Sequence, residues 1–418
     1  MGLALTVLLL LAVTTTVKPA PAQAAATTIK HVWVITLENE SADTTYGPNS
    51  PAKYLNNTLR KQGVYLDQYY ATSHASLGNY LSMLSGQGAN AVTQADCLFY
   101  VDVVPGTIGA NGQSYGQGCV YPAEVPTLVD QLDAKGLTWK GYMQDMGNTP
   151  SREAATCAHP ALNTIDHTQS ATPADNYATR QNPFMYFHSI IDEPSCNTNV
   201  VALTPLLTDL QSASTTPAFS FIEPSLCDDG HDAPCADGRP GGLVSADAFI
   251  ATWAPRILAS PAYAEGGMLI VNFDESEVDD SSACCGQQPN PGGAPLGGIT
   301  GPGGGRTGAV VLSSRTAPST TSSVAYNHYS LLRSLEDLFG VGHLGFAASD
   351  GLVPFGADVY NAPSFGVGVG SGLGSGSGAV APGGPITPAT GGGDATAGLG
   401  LVGVALTLRW VRRCALSV

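Results

Sequence analysis

Apolar runs of strand length recur along the chain, and several end in a short stretch rich in Asp, Glu, Asn or His. Residues 30–37 (Lys-His-Val-Trp-Val-Ile-Thr-Leu), 217–222 (Pro-Ala-Phe-Ser-Phe-Ile) and 267–273 (Gly-Met-Leu-Ile-Val-Asn-Phe) have this form. Continuous rather than alternating apolarity marks strands buried on both faces, as in a parallel sheet covered by helices. Residues 137–142 and 307–313 add two weaker strands. Helical spacing sets Leu77, Leu81 and Leu84 on one face, with Gly86 as the stop. Further helices are predicted after Val125-Pro126-Thr127, over 204–212, over 245–258 with Ser245 as N-cap, and over 326–339 with His328 in the first turn. The expected class is α/β.

The polar ends carry the chemistry. Glu38-Asn39, Asp228 with His231, and Asp274-Glu275 each follow a buried strand, and open α/β sheets place ligands there. His74, Ser76 and Asn79 fall at the N-terminus of the 77–84 helix, where unpaired N–H groups and the helix dipole favour an anion. A lone serine there needs no explanation beyond N-capping; the other clusters change that reading. The oxygen donors Glu38, Asn39, Asp274 and Glu275 suit a hard divalent cation. Serine is a weak nucleophile at neutral pH without help, and a bound metal acidifies an oxygen it touches. The histidines and Asn79 can hydrogen-bond a tetrahedral anion, and a histidine can protonate a leaving group. Together these parts describe metal-assisted phosphoryl transfer with Ser76 as nucleophile. His188, beside Phe187, either lines a pocket or packs; His159 and His167 are expected at the surface.

A formal charge of −16 excludes nucleic acid and anionic membrane surfaces as partners. The apolar run 3–13 and the Ala-rich segment 20–26 predict a signal peptide over 1–25 and export. Eight cysteines lie in the expected mature domain, and proximity pairs Cys97–Cys119, Cys157–Cys196 and Cys227–Cys235, leaving Cys284 and Cys285 open. The Gly/Pro-rich segment up to Gly305 is expected to be a surface lid or insertion. Residues 363–393 are a Gly/Pro/Ser-rich linker, and 397–418 form an apolar tail with Arg409, Arg412 and Arg413 at its end. That tail resembles the sorting signals of Gram-positive surface proteins. Thr387-Pro388-Ala389-Thr390-Gly391 resembles the transpeptidase pentapeptide with Thr387 in place of the usual Leu; a membrane tail is the alternative.

Five segments in order carry a family resemblance: residues 31–41, 72–80, 228–232 (Asp-Asp-Gly-His-Asp), 272–275 (Asn-Phe-Asp-Glu) and 327–330 (Asn-His-Tyr-Ser). They resemble the phosphoesterase family of bacterial phospholipases C and acid phosphatases, within the alkaline-phosphatase superfamily, over about residues 28–355. The resemblance implies an αβα sandwich with a mostly parallel central sheet and a catalytic domain over 28–360. It implies a divalent metal (Mg, Ca, Mn or Zn) held by Glu38, Asn39, Asp274 and Glu275, with Ser76 as nucleophile and further ligand. His74, Asn79, His231 and His328 would surround the phosphate; His188 is a candidate substrate contact only from its place beside Phe187. Relatives with two zinc ions would use His231 and His328 for the second, with an acid such as Asp228; the shortage of histidines near Asp274 favours one ion. The expected function is a secreted or surface-anchored acid-phosphatase-like enzyme acting on a phosphate-ester small molecule. The alternatives are a phospholipase C acting on phospholipid headgroups and an inactive surface binding protein. A sulfatase would need Cys/Ser-X-Pro-X-Arg, and Ser76-Leu77-Gly78-Asn79-Tyr80 lacks it.

Overall fold

A computed structural model describes residues 28–287 and 297–362. The chain divides into two units, Met1–Val367 and Gly368–Val418, and the described residues all belong to the first. The expected signal peptide, linker and sorting tail lie outside the described residues.

Eight strands form one sheet: β1 (His31–Leu37), β2 (Val64–Leu66), β3 (Trp139–Met143), β4 (Val200–Ala202), β5 (Phe219–Glu223), β6 (Gly267–Phe273), β7 (Ala309–Ser313) and β8 (Thr320–Ser322), in the order β8-β2-β7-β6-β1-β5-β3-β4. Only β7 runs against the others. The three most apolar runs of the sequence, β1, β5 and β6, sit together at the centre, as their burial on both faces requires.

Alternate residues of β1 point to opposite faces and so enter two cores. Val32 and Val34 pack with Leu77, Leu81 and Leu84 of α1 (Ser76–Ser85), with α2 (Leu128–Ala134), and with Leu331, Leu332 and Leu335 of a helix over His328–Phe339. Trp33, Ile35 and Leu37 pack on the other side against α3 (Gly242–Leu258). With α4 as His328–Phe339, this is an αβα sandwich.

Local signals account for the helix ends. Thr127 caps α2 in a reciprocal capping box with Asp130, and Asn327 caps α4 by accepting from Ser330 N. Gly86 closes α1 in the left-handed region at φ 67°. Helix α3 starts three residues before the expected Ser245, because Gly241 at φ 68° lets the chain turn where a Cβ would fall 1.7 Å from the Asp232 carbonyl. The helix expected over 204–212 is only the turn Leu206–Asp209. Disulfides join Cys97–Cys119, Cys157–Cys196, Cys227–Cys235 and the adjacent Cys284–Cys285. No helix among the described residues is long and apolar enough to cross a membrane.

Candidate active site

The parallel register Leu37↔Phe273 makes β1 and β6 end flush, so Glu38 and Asp274 emerge side by side. Backbone bonds fix that junction: Asp274 N donates to Leu37 O at 2.8 Å, and Glu38 N donates to Asp229 O at 3.0 Å. Asn39, left-handed at φ 51°, turns its N–H to Asp274 Oδ1 (3.3 Å) and its carboxamide N–H to Glu275 Oε1 (2.8 Å).

One face of α1 runs along the groove above these strands. Met83 Sδ lies 3.3 Å from Asn272 Nδ2, within β6. One turn nearer the N-terminus, the Tyr80 hydroxyl reaches Glu38 Oε1 (3.1 Å) and Glu223 Oε1 (2.7 Å), and Asn79 Nδ2 lies 3.5 Å from Glu275 Oε2. Ser76 shares that face at i, i+4 from Tyr80 and is therefore carried one turn further, past the strand ends. It is buried and opens the helix. Asp96 Oδ1 accepts the next N–H, from Leu77, at 3.0 Å.

Three buried oxygens on the residues joined at this junction have no hydrogen-bond partner, Glu38 Oε2, Asn39 Oδ1 and Asp274 Oδ2; Glu223 Oε2 and Ser276 Oγ on flanking residues are likewise unpaired. Buried polar atoms are nearly always paired, because leaving one unpaired costs about 1–3 kcal/mol. Three unpaired hard oxygens from residues this closely bonded fit a divalent cation. Glu275 differs from the expected ligand. Oε1 takes the Asn39 carboxamide, while Oε2 faces His74 Nδ1 at 2.8 Å and Asn79. It orients Asn39, so that the Asn39 carbonyl oxygen stays free. Burial, reinforced by the Glu38 charge, holds the carboxyls of Asp274, Asp229 and Glu223 well above the ordinary range, and burial with the Asp96 charge does the same for Glu275.

The histidines separate by their partners. His74 Nε2 donates to the Asp280 carbonyl (2.9 Å), so its bond to Glu275 must hold one further proton, on whichever side. In His328, the Tyr69 hydroxyl occupies Nδ1 (3.0 Å) and Nε2 donates to the Asp274 carbonyl (2.5 Å); burial lowers its pKa to about 4, so the ring is neutral. Both rings are therefore tied inward, where the sequence pointed to groups facing a phosphate. Asn79 is likewise engaged: its Oδ1 accepts from Thr72 N (3.0 Å) and Ser73 N (2.8 Å), bracing the turn into α1. His188 has other partners: its ring nitrogens bond Asp102 and Asp192 at 2.9 Å each.

His231 is exposed, unlike His74 and His328. Its Nδ1 bonds Asp232 Oδ1 at 2.8 Å; burial opposes a charge on the ring, but Asp232 and the Glu38 carboxylate outweigh it and raise the pKa to about 9. Arg180 Nη2 lies 3.4 Å from His231 Nε2. Asp228, the expected acid partner, instead pairs with Arg239 (2.6 Å) and Gln144 (2.7 Å), and the fully buried Asp229 takes the inward position. Arg180, Tyr80, Glu223, Asp96 and Asp229 were missed from the sequence. The signal for Tyr80 was present, four residues after Ser76 on the same helical face. Cys227, Cys235 and Asp237 also lie close together, but the two sulfurs form a disulfide and offer no thiolate.

A mostly parallel eight-stranded sheet covered by helices, with Glu38 and Asp274 paired at its central strand ends, defines an αβα sandwich of the α/β class. Within that class the chain belongs to the phosphoesterase family, whose pattern it matches over residues 49–342. It is 24% identical over 316 residues to a probable acid phosphatase of Kluyveromyces lactis, covering 76% of this chain and 59% of that protein. It is 23% identical over 331 residues to a phosphatidylinositol-3-phosphatase of Mycobacterium tuberculosis, covering 78% and 83%. A solved Vibrio parahaemolyticus protein of the alkaline phosphatase superfamily aligns with TM-score 0.42 and 13% identity over 75% of this chain and 67% of that one. The chain spans about half the length of the acid phosphatases it matches.

Proposed function

We propose that this protein is a phosphoric ester hydrolase of the acid-phosphatase type, with Ser76 as nucleophile and a divalent cation held by Glu38, Asn39 and Asp274. The observation that carries the reading is the set of three unpartnered buried oxygens on those residues. When bound, the cation supplies Lewis-acid stabilisation of charge on phosphate and serine oxygens. Ser76 Oγ, its proton released to solvent, forms the bond to phosphorus as the ester P–O bond breaks, leaving a phosphoseryl intermediate that water then hydrolyses, the freed serine oxygen taking a proton back from solvent. His231 Nε2 gives a proton to the departing alkoxide and recovers one from the water, while Asp232 holds the ring by Nδ1. Glu275 fixes Asn39 and His74, and His328 fixes the Asp274 backbone; these residues position the site. The disulfides suit an exported enzyme.

Ser76→Ala should lower p-nitrophenyl phosphate turnover about a thousandfold or more; full activity in that variant would reject the nucleophile. Excess EDTA should inactivate the wild type and added divalent metal restore it, whereas activity that survives chelation would rule out the cation.

A further inference from the structure

Arg180 is a cation enclosed among acids, with only 4% of its surface exposed. It sits in the single turn Thr179–Gln181, which is tied down on both sides. Thr179 N donates to Thr168 Oγ1 at 2.8 Å, and Gln181 Nε2 donates to Asp229 Oδ2 at 2.7 Å. Asp229 also accepts the His231 N–H on Oδ1 (2.7 Å), and its carbonyl accepts from Glu38 N (3.0 Å). One buried acid thus fixes the Arg180 turn, the His231 loop and the end of β1 relative to one another.

The guanidinium spans the distance from Asp96 to His231. Its Nε lies 4.0 Å from Asp96 Oδ2, and its Nη2 lies 3.4 Å from His231 Nε2. Asp96 is the residue that accepts the N–H following Ser76, so this span passes beside the start of α1. Burial opposes the charge on Arg180, but Glu38, Asp96 and Asp229 outweigh it and raise its pKa. A cation that served only to neutralise those acids would bond them at about 2.7–2.9 Å, the length of a charge-assisted pair. Among the described residues, Asp96 is the one carboxylate within 4.0 Å of it, and at that distance it is not hydrogen-bonded. A guanidinium has five N–H donors. Here the bond from Nη1 to the Gln169 carbonyl, 2.9 Å, is the only one of ordinary length among the described residues. A charged fork held short of its neighbours in a dry site matches the oxygens of a tetrahedral anion.

We propose that Arg180 is a substrate-binding residue, its Nε and Nη2 edge donating to non-bridging oxygens of the phosphoryl group that passes to Ser76. This deepens the phosphoesterase reading and rests on it for the identity of the anion. His231, beside Nη2, then meets the departing oxygen of the same group.

The full chain is titrated calorimetrically with inorganic phosphate in magnesium buffer. Arg180→Lys keeps a positive charge among the acids but loses the fork. It should weaken phosphate binding about tenfold or more while the melting temperature stays near that of the wild type. Arg180→Gly should lose phosphate binding, and added guanidinium ion should restore it together with p-nitrophenyl phosphate turnover, a rescue that a purely structural role does not give. Unchanged phosphate affinity in Arg180→Lys would overturn the proposal. So would weak binding in both variants that guanidinium does not restore and that follows a matching fall in melting temperature, since Arg180 would then only brace the fold. Weakened binding in Arg180→Lys while Ser76→Ala retains full turnover would reject the nucleophile and leave the phosphate contact standing.

Discussion

Gly78 shows how tightly single residues are specified around the site. A Cβ there would lie 2.5 Å from Ser73 Oγ and 2.9 Å from Ala89 Cβ, so the turn carrying His74 can pack on α1 only because position 78 lacks a side chain. Gly78→Ala should cost about 1–3 kcal/mol and lower turnover together with the melting temperature; unchanged values of both would show that the turn gives way freely. Glu336 makes a different demand. Its Oε1 accepts the Leu344 N–H at 2.8 Å, its Oε2 is buried without a partner, and burial lifts its pKa from the ordinary 4.5 to about 8. Between those values the unfolded chain ionises while the folded one keeps its proton, so stability falls as pH rises through that window. Glu336→Gln should flatten the fall and raise the melting temperature at pH 8.5 relative to wild type, with little difference at pH 4. Thermal scans at both pH values decide it. Little of this was readable in advance, since a 3.6-residue pattern marks a buried face without telling which polar residue on it lacks a partner.

Helix α1 and the central strands were legible for one reason: each has a single period running its whole length. Leu77, Leu81 and Leu84 announce the helix, and the unbroken apolarity of β1, β5 and β6 announces strands covered on both sides. The edge strands β4 and β8 and the penultimate β2 are three residues each, too short to show a period, and pairing with neighbours makes them strands. Strand β4 depends on such help: Cys157 N donates to Val200 O at 3.0 Å, and the Cys157–Cys196 bond closes the segment leading to it. Replacing both cysteines by Ser should remove about 2–4 kcal/mol of stability, read from urea midpoints, and open β4 to amide exchange before β1. Simultaneous exchange of the two strands would assign that edge its stability from the sheet alone. The same limit applies to the histidines. Sequence set His328 in the first turn of α4 correctly, but only the fold reveals that Tyr69 and the Asp274 carbonyl occupy both its nitrogens.

Across the whole molecule, the acids Glu38 and Asp274, more than two hundred residues apart in the chain, meet because β1 and β6 are neighbours in register. A cation bound there would link the two halves of the sheet. Saturating divalent metal should therefore raise the melting temperature by several degrees, corresponding to about 2.7 kcal/mol at a hundred times Kd, and Glu38→Gln should reduce the rise. An equal rise in that variant would put the ion elsewhere. The Tyr80 phenol carries one hydrogen, yet its oxygen lies within bonding reach of Glu38 and Glu223. One of the two acids must bring its own, and Glu223, lifted by burial and by the Glu38 charge, is the one that does. The folded protein in neutral solution thus travels in an electric field as a weaker anion than its composition implies, and unfolding should release this hidden hydrogen ion into the buffer.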